Sequence, residues 1–281
     1  MSMAERVYLT DDKNVFLDTL ILEAYEGLPK RKAMIVFPGG GYYHLAHHER
    51  DLVASRYFAN DFNVFVLHYT VRSTCENMVG DDGIPYAITD ALKAIAHVRN
   101  NADKYGIDPD KICIMGFSAG GHLAATVATM WHDERLLSSA NLTREEARPC
   151  AALLCYAVTT PAAGDIFDRC MANLFAGVPE EKIKTDSLYF DTVKRVDENT
   201  CPIFIMHTVT DETVPVDNAY FMSEALFEKH LPHELYVMPH APHGGSIFDE
   251  NTRIENESFC EYNRAWVQQS INFLTLLFGE N

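Results

Sequence analysis

The chain has 281 residues, 47% of them hydrophobic and 22% charged, the composition of an ordinary globular protein. Its formal net charge of −17 argues against nucleic acid and anionic membranes as partners, because both would repel it. No run approaches the roughly 18 consecutive apolar residues of a membrane span, and a chain this long can bury a core without a disulfide or metal staple.

The amino-terminal stretch lacks the basic start and unbroken apolar run of a signal peptide. Val15 to Glu23 reads as a strand of mixed alternation, antiparallel and near a sheet edge. Ala33 to Phe37 is short and wholly apolar, the pattern of a central strand covered on both faces. Arg50 to Ala59 carries Leu52, Val53, Tyr57 and Phe58 at helical spacing, and Val64 to Tyr69 is the next strand. Asp90 to Asn101 places Ala91, Leu92, Ile95, Ala96 and Val98 on one helical stripe. Lys111 to Met115 is a strand that runs into a glycine-rich segment, Gly116 to Gly121, and Ala119 to Met130 is a buried helix of small residues. Ala151 to Val158, Pro202 to His207 and Glu234 to Met238 are further strands, and Asn218 to His230 and Trp266 to Phe278 the last helices.

This alternation implies an α/β fold in one domain spanning 1–281, a mostly parallel sheet of about eight strands with helices on both faces. Residues 131–149 and 160–200 are richer in charge and less periodic, and are expected to form cap-like insertions above the sheet. The seven cysteines (Cys75, Cys113, Cys150, Cys155, Cys170, Cys201, Cys260) are odd in number and form no Cys-x-x-Cys pair. A reduced, cytoplasmic protein fits that usage best.

Gly116-Phe117-Ser118-Ala119-Gly120 matches the Gly-x-Ser-x-Gly nucleophile elbow, in which a serine sits on a sharp strand-to-helix turn and side chains two residues either side would collide. A serine hydroxyl needs an adjacent base to become a nucleophile. Asp211 follows the Pro202–His207 strand, where an acid can orient a histidine; Glu212 and Asp217 are lesser candidates. His243, in the loop after Glu234–Met238, is followed by two glycines that let the loop turn toward Ser118, and is preferred to His240. The glycines of Pro38-Gly39-Gly40-Gly41-Tyr42 follow a central strand and expose backbone N–H groups. The oxyanion hole is therefore assigned to Gly40 or Gly41 together with Ala119.

These segments resemble the α/β-hydrolase superfamily, and within it the small bacterial lipase/esterase group that is acetyl-xylan-esterase-like. The resemblance rests on Pro38 to Tyr42, His68 to Arg72, Pro85 with Asp90 to Leu92, Gly116 to His122, Asp211 and His243-Gly244, and covers residues 15–278. It implies hydrolysis of short-chain carboxylic esters, often acetyl esters of sugars, through an acyl-enzyme and without a cofactor. Pro38 replaces the histidine of the better-known His-Gly-Gly-Gly pattern, which leaves the backbone donors intact but the substrate open. A serine peptidase or amidase of the same fold is the nearest alternative, and a non-catalytic binding protein on that scaffold a more distant one. The partner implied is a small-molecule ester; homo-oligomerisation stays open.

His44, His47, His48 and Glu49 invite a metal reading, but lack the His-Glu-x-x-His order of zinc peptidases and a third ligand, so no metal is expected. Tyr42 and Tyr43 are candidate substrate-binding residues, since the loop that carries them should face the cleft. His122 is expected to tie its helix to a neighbouring loop rather than to transfer protons.

Overall fold

Apolar runs long enough to cross a sheet, but too short to make a helix, set the architecture. The computed structural model describes residues 2–11, 13–22, 27, 29–250 and 261–279. Its strands are β1 (Ser2–Tyr8), β2 (Phe16–Ile21), β3 (Arg31–Phe37), β4 (Phe62–His68), β5 (Ile107–Phe117), β6 (Ala151–Cys155), β7 (Ile203–Thr208) and β8 (His233–Met238). They form one eight-stranded sheet in the order β1-β2-β4-β3-β5-β6-β7-β8. β2 pairs antiparallel with β1 and β4, and every pairing from β4 through β8 is parallel.

The helices are α1 (Asp51–Phe58), α2 (Tyr86–Asn100), α3 (Ala119–Met130), α4 (Glu134–Ala140), α5 (Arg144–Ala147), α6 (Ile166–Leu174), α7 (Glu180–Asp186), α8 (Asp217–Glu228) and α9 (Ala265–Leu277). Period-two geometry sends Ala33, Ile35 and Phe37 of β3 to one face, where α2 and α3 cover them. Met34 and Val36 point the other way, into a core shared with Val53 and Tyr57 of α1 and Trp266 and Leu274 of α9. That two-sided cover is why the inner strands are apolar without alternation. Each fully buried large aliphatic or aromatic side chain contributes about 1.5–3 kcal/mol.

Several boundaries differ from the sequence expectation. β1 is an additional strand, and β2 is therefore one place in from the edge. Glu23, the expected end of that strand, lies outside the described residues. α2 begins at Tyr86 rather than Asp90, directly after Pro85, whose fixed φ suits a helix entry. β6 stops at Cys155 because Tyr156 adopts φ +36°, which turns the chain out of the sheet.

The segment 131–149 carries α4 and α5. It packs beside α2, where Arg99 donates to the carbonyls of Glu146 and Arg148 at 2.7 and 2.6 Å. Residues 160–200 reach the functional loops, through Asn173 of α6 and the carbonyl of Phe190. Among the described residues no helix is long and apolar enough to cross a membrane.

Candidate active site

β5 delivers Ser118 to the carboxyl edge of the sheet, and α3 starts one residue later. Ser118 takes φ +54° and ψ −117°, a conformation costing about 1–3 kcal/mol that persists only where the surroundings hold it. Three backbone bonds do so: Ser118 N–H donates to Cys155 O at 3.0 Å, and Ser118 O accepts from His122 and Val158 at 3.0 and 3.2 Å. The turn is tight enough that a Cβ on Gly116 would lie 1.9 Å from Gly120 O, which explains glycine there.

The three side chains singled out by spacing come together. Ser118 Oγ lies 2.9 Å from His243 Nε2, and His243 Nδ1 donates to Asp211 Oδ2 at 2.7 Å. Asp211 is buried, and its other oxygen accepts from the N–H groups of Val214 and Thr213 at 2.8 and 2.9 Å. Burial alone would raise its pKa. Hydrogen bonds from His207 and His243, the His243 charge and the Val214 N–H outweigh it and hold the carboxyl well below the usual range. His240 does not share this position: its carbonyl accepts from Asn263 at 2.9 Å. The acid and base loops are laced through Ala241, whose carbonyl accepts from Thr208 and Thr210.

The loop after β3 frames the other side of Ser118. Gly40 takes φ +122° and a Cβ on it would fall 2.1 Å from His44 O, so no other residue fits. Its carbonyl caps the turn by accepting from Tyr43 and His44. Among the described residues no hydrogen bond engages the N–H groups of Gly40, Gly41 or Ala119. Ala119 also opens α3, where the helix dipole favours developing negative charge. Asn173 donates to Gly41 O at 2.8 Å and Tyr69 to Pro38 O at 2.5 Å, fixing the loop from two directions.

The two tyrosines of this loop part company. Tyr42 is fully buried, and its hydroxyl donates to His122 Nδ1 at 2.8 Å, so the expectation that it contacts substrate gives way to a structural role. Its φ of +58° is what turns the side chain inward. Tyr43 is 53% exposed and faces solvent. His122 donates through Nε2 to Phe190 O at 2.9 Å, and burial lowers its pKa to about 4, so it is a neutral tie between α3, the glycine loop and residues 160–200.

Sequence reasoning passes over His207 and Tyr156, and weighs Glu49 only as part of a metal motif. His207 donates to Val214 O at 2.8 Å and stands 3.5 Å from Asp211 Oδ2, bracing the acid loop. Tyr156 packs edge-on to the His243 ring, with centroids 5.0 Å apart. Glu49 lies in the histidine-rich stretch that suggests a metal, but among the described residues no group of three or more His, Cys, Asp or Glu side chains could hold one. Its carboxylate instead accepts from Gly39 N–H and Tyr156 O–H.

A family model described as BD-FAE matches residues 21–226. Endo-1,4-beta-xylanase B of Butyrivibrio fibrisolvens is 33% identical over 235 residues, covering 84% of this chain and 36% of that protein. Acetylxylan esterase of Xylanibacter ruminicola is 34% identical over 103 residues, 36% of this chain and 20% of that protein. The chain thus spans only a minor part of the length of these curated relatives. Among solved structures, an acetyl ester-xyloside bifunctional hydrolase from Caldicellulosiruptor lactoaceticus aligns with TM-score 0.72 and 28% identity over 96% of this chain and 97% of that one.

Proposed function

The chain belongs to the BD-FAE family and has the α/β-hydrolase fold, and we propose that it is a serine hydrolase cleaving short-chain carboxylic esters, acetylated sugars among them. The observation that carries this reading is the unbroken hydrogen-bonded chain from Ser118 through His243 to Asp211, set beside N–H groups that no acceptor among the described residues uses.

In the proposed mechanism Ser118 Oγ attacks the ester carbonyl as His243 Nε2 takes its proton. Asp211 holds the Nδ1 proton in place and stabilises the imidazolium. The N–H of Ala119, with that of Gly40 or Gly41, receives the oxyanion, each such donor lowering the barrier by roughly 2.7–4 kcal/mol. His243 then protonates the leaving alcohol, and water activated by the same nitrogen releases the acid and restores Ser118.

A polar leaving group is supported by an open groove of about 670 Å³ beside the glycine loop, lined by Tyr43, Arg72, Ser73, Thr74 and Glu76 among others. The solved bifunctional hydrolase named above, whose title pairs acetyl ester with xyloside, points the same way. A reducing, cytoplasmic setting accords with the free thiols of Cys75, Cys113, Cys150, Cys155, Cys170 and Cys201. We treat the chain as one catalytic unit, with residues 160–200 as its rim.

The test is hydrolysis of p-nitrophenyl acetate, butyrate and octanoate by the wild type and Ser118→Ala. The short esters should be cleaved and the substitution should abolish turnover. Equal rates from both proteins, or none from either, would refute the reading.

A further inference from the structure

Glu49 is a carboxylate in an expensive place. Its side chain is 3% exposed, and among the described residues no lysine or arginine pairs with it; His48 Nε2 stands 3.7 Å away. Buried charges of this kind seldom stabilise a fold better than a well-packed apolar residue would. What Glu49 touches gives a different reason for its presence. Oε2 accepts from Gly39 N–H at 2.6 Å, and Oε1 accepts from Tyr156 O–H at 2.8 Å. Tyr156 Oη in turn accepts from Ser246 N–H at 3.0 Å, three residues past His243, and Ser246 Oγ donates to His48 O at 2.8 Å.

One carboxylate therefore joins the loop after β3, the turn after β6 and the loop after β8. Gly39 is also the residue packed against the nucleophile, since a Cβ on it would lie 3.1 Å from Ser118 Cβ and 2.8 Å from Glu49 Oε2. We propose that Glu49 is a positioning residue for ester hydrolysis, a clamp that sets the oxyanion donors and the His243 loop against each other. The proposal rests on the serine-hydrolase reading of the site. Gly39 N–H can only donate, so a carboxamide must turn its carbonyl oxygen to Gly39 and its NH2 to Tyr156 Oη. That hydroxyl already accepts from Ser246 N–H and then loses the acceptor for its own proton; Glu49→Gln should therefore loosen the Tyr156 arm. Tyr156→Phe keeps the ring against His243 and cuts the His243 arm alone.

Both variants and their combination are to be assayed with p-nitrophenyl acetate. Active sites are counted by fluorophosphonate titration and folding is followed by circular dichroism. Each single substitution should lower kcat per titrated site by roughly 10- to 100-fold, as displacements of reacting groups by an ångström do, while KM stays within about threefold. The double variant should be no worse than Glu49→Gln, because both cut the same chain. If kcat per titrated site stays within about twofold of wild type while the melting temperature falls, Glu49 is structural only and the proposal is wrong. Should Glu49→Gln fail to fold, Tyr156→Phe alone decides by the same criterion. An inactive wild type would instead refute the ester-hydrolase reading and the clamp with it, which separates the two failures.

Discussion

Asp211→Asn gives the sharpest test of how the base is set. Asp211 Oδ1 is fixed by two backbone donors, Val214 and Thr213, so an asparagine there must place its carbonyl oxygen in that position. Its NH2 then occupies the place of Oδ2, 2.7 Å from His243 Nδ1, and donates where the carboxylate accepted. His243 is driven to the tautomer with its proton on Nε2, facing Ser118 Oγ with a hydrogen rather than a lone pair. The base is lost although every heavy atom stays in place. The expected cost is roughly 10⁴-fold in kcat, about 5 kcal/mol of barrier. Steady-state hydrolysis of p-nitrophenyl acetate, with circular dichroism to show an intact fold, measures it. Retention of kcat within about tenfold by a folded Asp211→Asn protein would refute the assignment of Asp211 as the orienting acid.

Two further outcomes follow from the same geometry. Tyr42→Phe leaves His122 Nδ1 buried without its donor and should cost about 1–3 kcal/mol of stability with KM unchanged, whereas Tyr43→Ala should leave urea stability within about 0.5 kcal/mol and raise KM for sugar acetates. A Tyr42→Phe protein with raised KM and full stability would contradict the inward placement. Stability should also fall as pH drops from 6.5 toward 4: His122 titrates at about 4 when folded against 6.5 when free, so the unfolded chain takes up the proton first. His122's share of the loss is about 2 kcal/mol at pH 5 relative to pH 7.5. His68, also lowered to about 4 by burial, loses stability in the same window, so urea midpoints read the sum and His122→Asn should remove only the first share. Asp211, held below the usual carboxylate range, acts with the same sign in the next window down. Its stabilisation is complete above about pH 4 and fades only below that.

The central sheet is legible because β3, β4, β5 and β7 are covered on both faces and so cannot carry polar residues at alternate positions. β1 is not, because its extension comes from pairing with β2, which leaves no mark in the sequence of its own residues. Ser118 and His243 are legible for a related reason: their turns demand glycine neighbours, and glycine leaves a mark in the sequence. Tyr42 and Tyr43 have no such mark. Adjacent and chemically alike, they diverge because one left-handed backbone step inverts a side chain, and nothing around them announces that step. Glu49 is hidden by its company, since three nearby histidines suggest a metal while its partners, Gly39 and Tyr156, lie on other segments. His207 is concealed inside an apolar strand, where a histidine reads as packing.

The chain order of the site has a consequence for how activity is acquired. His243 and Asp211 stand 32 residues apart, Ser118 and His243 125. Closing the longer loop costs about 1 kcal/mol more in chain entropy than closing the shorter one, and the parallel pairings that bring β5 toward β8 are non-local, which slows folding. A refolding chain can thus assemble its acid and base before the strained serine turn is docked beside them. Turnover is then the last property to return, arriving after helix content and the local acid–base contact, and it reports completed assembly of the sheet rather than the formation of any single segment.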